Sequence, residues 1–134
     1  MKTPTTLDEE IVAACRTGLG DTLRSVITFT PDDWEVSYIR KDLEADESEL
    51  REVKALMVAN ERMGFTSQET YDSLARREGP SSSLGGYRLT IRVFDHGYLG
   101  RVIVGDRGVV VTTDEMNIDA FEDIERTVGK LLAA

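Results

Sequence analysis

The sequence predicts an α+β domain: one antiparallel five-stranded sheet with helices on both faces, in the order α-β-β-α-(α)-β-β-β-α. Three observations carry that prediction. The stretch YRLTIRVFDHGYLGRVIVGDRGVVVTTDE, residues 87–115, holds three strand-length apolar runs separated by turn residues at Asp95-His96-Gly97 and Gly105-Asp106-Arg107-Gly108. Residues 22–40 hold two more alternating runs, TLRSVITFT and WEVSYIR, joined by Thr30-Pro31-Asp32-Asp33. Apolar residues then recur at helical spacing over 50–63 and 118–132, which places long helices between and after the strands.

Each element has its own local reason. Thr6-x-x-Glu9 has capping-box spacing, and Ile11, Ala14, Cys15 and Leu19 make one apolar stripe that Gly18 or Gly20 ends. In the first hairpin, alternation puts Leu23, Ser25, Ile27 and Phe29 on one face and Arg24, Val26 and Thr28 on the other. Trp34, Val36 and Tyr38 likewise oppose Glu35, Ser37 and Ile39, and Pro31 suits the second position of a type I turn. The mixed faces predict a sheet covered on both sides. Asp46 and Glu49 form a second capping pair ahead of Leu50, Val53, Leu56, Met57, Asn60 and Met63, with Gly64 as the stop. Thr66-x-x-Glu69 opens a shorter helix containing Tyr71 and Leu74, closed by Gly79-Pro80. Residues 79–86, GPSSSLGG, read as a flexible loop before the three-stranded meander. On the first meander strand, Tyr87, Leu89, Ile91 and Val93 face one way and Arg88, Thr90, Arg92 and Phe94 the other. Ile118, Phe121, Ile124, Val128, Leu131 and Leu132 give a final amphipathic helix, capped by Asp114 or Asn117.

Length and composition bound the function. The 134 residues suit a single domain spanning 1–134, with 40% apolar and 31% charged residues. No run is long enough to span a bilayer and no secretory pattern opens the chain, so the expected location is cytoplasmic and no membrane is expected as a partner. One cysteine and one histidine leave neither a disulfide nor a thiol metal site, and no cofactor is expected. Acids outnumber bases 25 to 16, and only Lys2, Lys41, Lys54 and Lys130 are lysine. Acid excess with scarce lysine is the pattern of a halophilic protein, whose self-repulsion molar salt mutes by shortening the Debye length to about 3 Å. The net charge is −7 over residues 1–61, +2 over 62–107 and −4 over 108–134, which argues against nucleic acid as a partner.

Candidates for chemistry are few. His96 sits at a hairpin bend, where Asp-His-Gly is turn chemistry before it is a general base, and GDRG at 105–108 joins strands instead of opening a helix onto a phosphate. Cys15 lies on an apolar stripe with no base patterned beside it. Arg88 and Arg92 form the more interesting set, with Arg101 placed to join them from the neighbouring strand. Two readings stand open for these arginines. They pair with helix acids such as Glu52 or Glu61, or they form a patch for a carboxylate, a phosphate or an acidic partner.

The succession of elements over almost the whole chain resembles the roadblock (dynein-light-chain-like) family and its profilin-like relatives; the extra helix around residues 71–77 and the 79–86 loop depart from that pattern. The wording YRLTIRVFDHGYLGRVIVGDRG is similar to small proteins of haloarchaea. The resemblance implies a homodimer in which long helices pack together and edge strands pair, with members that regulate or scaffold small GTPases and signalling complexes without being catalysts. Leu50, Val53, Met57, Asn60 and Met63 would then supply the dimer helix, and residues 87–94 the pairing edge. The expectation is a non-enzymatic homodimeric interaction module of a halophilic archaeon. The alternative is a sensor of profilin-like architecture that binds a small anion between sheet and long helix. A solvent-facing apolar stripe on residues 50–63 favours the first, and an enclosed pocket lined by Arg88 or Arg92 favours the second.

Overall fold

A computed structural model describes residues 6–44 and 46–134. Helix α1 (Thr6–Leu19) leads into strands β1 (Leu23–Phe29) and β2 (Trp34–Ile39). Helices α2 (Glu47–Glu61) and α3 (Met63–Ala75) follow, then β3 (Thr90–Phe94), β4 (Gly97–Val104), β5 (Arg107–Thr113) and α4 (Ile118–Ala133). The five strands form one sheet in the order β2-β1-β5-β4-β3, and every neighbouring pair is antiparallel. This is the α+β arrangement that the order of elements predicts, with helices on both faces.

Two cores explain the layering. On one face α1 and α4 cover the sheet, and Ile11, Cys15, Leu19, Ile124 and Val128 meet Val26, Val102, Val109 and Val111. On the other, Val58 of α2 packs with Ile27, Phe29, Leu99, Ile103 and Val110, joined by Met57 and Phe65. Strands buried on both faces carry near-continuous apolar runs, hence VVV in β5.

The local devices differ from strict alternation in informative places. Register shifts in β1 and β2 send Leu23 and Tyr38 to the α1/α4 face, while Ile27, Phe29, Trp34 and Val36 stay on the α2 face. An extra residue in one strand does this, because each added residue reverses the side-chain alternation. Thr6 is already helical instead of capping α1, whereas Asp46 caps α2 by accepting from Ser48 N and Glu49 N, and Asn117 caps α4 by accepting from Ala120 N. Gly64 does not end a helix. It lies buried in the first turn of α3, where an added Cβ would come within 2.5 Å of Arg101 Nε and Ile103 Cδ1. The expected helix opening at Thr66 therefore begins at Met63, and Arg62 marks the break from α2. The Arg62 guanidinium donates to the carbonyls of Thr30 and Asp33 at 3.0 and 3.1 Å, which pins that break to the β1–β2 turn.

Candidate functional site

The candidate surface lies where α2 crosses β3 and β4. Helical periodicity gives α2 an inner face, with Val58 and Glu61 buried, and an outer face that none of the described residues covers. On that outer face Val53 and Leu56 are 52% and 71% exposed, and Asn60 lies alongside them. Met63, at the start of α3, is 55% exposed and touches Arg92 of β3 through its sulfur, 3.8 Å from Nη2. Two further exposed apolar side chains lie on β3, Val93 at 73% and Phe94 at 56%, with Phe94 on the face toward α2 and Val93 on the opposite face. β3 is an edge strand, so one side of its backbone ladder is unpaired within the chain. Leu50 and Met57 are only half-buried, and Met57 packs toward the core. The dimer helix implied by the resemblance names Val53, Asn60 and Met63 of this surface, while Leu56, the most exposed residue of the stripe on α2, stands on the helical stripe read from the sequence but not among the implied dimer residues. Its helical position beside Val53 was the available signal.

A buried ionic cluster fixes this surface in place. Glu61 at the end of α2 accepts from Arg101 Nη1 at 2.9 Å through one carboxylate oxygen and from Arg92 Nε at 2.8 Å through the other. Arg101 is 4% exposed, and its second terminal nitrogen donates to Tyr87 Oη and Thr90 Oγ1, both at 3.1 Å. A buried guanidinium is tolerable only when its donors are met in this way. Gly64 makes room for it, since a side chain there would occupy the space of the Arg101 guanidinium.

Arg88 does not join the other two arginines. It pairs with Glu125 of α4, on the opposite side of the sheet, while Tyr87 turns toward α3 and stacks edge-on with Tyr71 at 5.3 Å. The physical reason is that β3 begins at Thr90. Before that residue the backbone is unpaired and free of the alternation that placed Arg88 with Arg92. His96 is exposed in the bend between β3 and β4.

A second polar cluster closes the β1–β2 side of the sheet. Asp114, just past β5, accepts from Arg40 and from Arg24, the latter at 2.8 Å, and Arg40 also holds Asp42 at 2.6 Å. The hydrogen bonds from Arg40 and then Arg24 keep the Asp114 carboxyl below the ordinary carboxylate range, and Arg40 does the same to Asp42. Among the described residues no group of three or more His, Cys, Asp or Glu side chains could hold a metal ion, and no helix is long and apolar enough to cross a membrane.

The model of the family described as "Domain of unknown function (DUF7522)" matches residues 9–133. The chain belongs to the DUF7522 family. Among solved structures this DUF7522 chain is similar to Myxococcus xanthus MglB, with a TM-score of 0.51 at 14% identity. The alignment covers 98% of this chain and 91% of MglB. At that identity the likeness shows the fold, and it extends over nearly the whole of both chains. No curated protein sequence matches this chain.

Proposed function

We propose that this DUF7522 chain is a non-enzymatic, homodimeric interaction module of the roadblock type, acting as a regulator of a small GTPase or signalling complex. The observation that carries the reading is the set of exposed apolar side chains Val53, Leu56 and Met63 on the helices and Phe94 on the α2-facing side of β3, beside an edge strand. Single exposed apolar residues are ordinary, but several on one helix face next to an open strand edge favour an association surface. Two copies related by a two-fold axis would bring α2 against α2 and β3 against β3, burying the stripe and completing the ladder. Asn60 supplies a polar contact within it, and Leu50 and Met57 border it from the inner side. Arg92 and Arg101 hold α2 on the sheet through Glu61, and Arg88, exposed beside α4, offers a contact for an acidic partner. The excess of acids and the scarcity of lysine support a salt-rich cytoplasm as the setting. The anion-sensor alternative on Arg88 and Arg92 has less support, since those two side chains reach opposite faces of the sheet.

The partner class is tested with small GTPases from the same genome, loaded with GTP or GDP and titrated with the wild-type chain or Leu56→Glu. The expected result is nucleotide-dependent binding or a changed hydrolysis rate with the wild type, weakened in the variant. If no GTPase binds in either nucleotide state, the GTPase assignment fails while the dimer remains to be judged on its own measurement.

A further inference from the structure

Between α2 and the β3–β4 hairpin lies a surface cavity of about 400 Å³, within the size range of small-molecule sites. Lys54 projects from α2 on one side, His96 stands on the hairpin opposite, and Arg24 and Thr112 line it from the sheet. Arg24 reaches this place because the register of β1 against β5 shifts between Leu23 and Ser25. Leu23 turns to the α1/α4 core, while Arg24 shares the cavity with Thr112, and Ser25 bonds that same threonine's hydroxyl. Bulges of this kind re-aim a side chain out of alternation. A Cβ on Gly97 would stand 3.9 Å from Arg24 Cδ, so the arginine stem runs under the backbone next to His96.

One cation of this cavity, Lys54, carries no ion pair among the described residues. Arg40, Arg88, Arg92, Arg101 and Arg126 each hold a carboxylate, and Arg24 gives one nitrogen to Asp114. Lys54 is half-buried. Burial first, and then the Arg24 charge, hold its ammonium below the ordinary lysine range. A desolvated cation beside a second cation is costly unless an anion joins them. Asp95 also lines the cavity, but it is exposed on the bend. Met57, Phe94 and Tyr98 add apolar surface beside the charged end.

We infer that this cavity binds a small organic anion, a carboxylate or phosphate on an apolar body, with Lys54 and Arg24 holding the charged head and Met57, Phe94 and Tyr98 flanking the body. The site goes beyond the dimer reading and does not rest on it, although Phe94 belongs to both and would place the ligand beside the association surface.

The test is a titration of the full chain with phenyl phosphate and with inorganic phosphate, followed by ¹H–¹⁵N spectra at fixed ionic strength. Phenyl phosphate is expected to give saturable shifts at the His96, Leu99 and Thr112 amides. Inorganic phosphate, lacking the body, binds more weakly. Lys54→Gln keeps a helix-forming residue at a half-buried site, so its spectrum stays folded, and it should lose at least about tenfold in affinity, as expected for one charge-assisted hydrogen bond. Shifts that never saturate, or equal affinity in Lys54→Gln, overturn the inference. Sedimentation of the same samples separates the two ideas: binding with no dimer contradicts the interface alone, and a dimer with no binding contradicts the cavity alone.

Discussion

At the scale of single residues, chemistry in this molecule is decided by burial. Cys15 looks in sequence like a small core residue, and it is fully buried between α1 and the sheet. Desolvation pushes its thiol up from 9.0 to about 12, so the folded chain keeps a proton that the unfolded chain releases. The sign follows from that difference: the contribution is fully present below pH 9 and fades as pH rises from 9 toward 12. Urea unfolding at pH 8 and pH 10.5 should show about 2 kcal/mol more loss for the wild type than for Cys15→Ala. Equal losses in the two proteins would show that the buried thiol is not the source. Native Cys15 should likewise resist thiol reagents that label the unfolded chain at once. Gly64 is the residue least legible in the sequence, because its reason is a neighbour on another element: the Arg101 guanidinium fills the space a side chain would take.

Among elements, the join between α2 and the sheet decides the geometry of the surface. It depends on Glu61, which satisfies Arg101 and Arg92 from opposite carboxylate oxygens. Glu61→Ala would strand a buried guanidinium and should cost roughly 3–5 kcal/mol, a large part of the stability of an ordinary domain. Replacing both partners together, Glu61→Leu with Arg101→Met, should recover most of that loss. Thermal unfolding of the single and double variants checks both statements, and a single variant within about 1 kcal/mol of wild type would contradict the first. The element order was readable in advance because strand runs, turn residues and helical spacing each carry a local signal. The two capping residues of α2 and α4, Asp46 and Asn117, were readable for the same reason. What was not readable were the places where one element corrects another. The shifts in β1 and β2 move Leu23 and Tyr38 to the other face, the late start of β3 separates Arg88 from Arg92, and Arg62 ends α2 by reaching back to the β1–β2 turn. Alternation in a sequence shows side-chain direction only while the ladder is regular.

As a whole molecule, the chain is a sheet with one face closed by α1 and α4 and the other covered by α2 and α3, leaving an apolar belt on α2 and the β3 edge. Sequence spacing found most of that belt, since Val53, Asn60 and Met63 fall on one helical side. It placed Leu56 on the stripe without distinguishing it from Met57, which turns inward, because the width of the buried stripe depends on what the helix packs against. Leu56, unlike Met57, can be changed without entering the core, which makes it the better probe. The most direct test of the account is sedimentation velocity in high salt on the wild type and Leu56→Glu, with circular dichroism to confirm that both are folded. The account predicts a wild-type dimer and a folded Leu56→Glu monomer. A monomeric wild type, or a Leu56→Glu dimer as tight as the wild type, would contradict it.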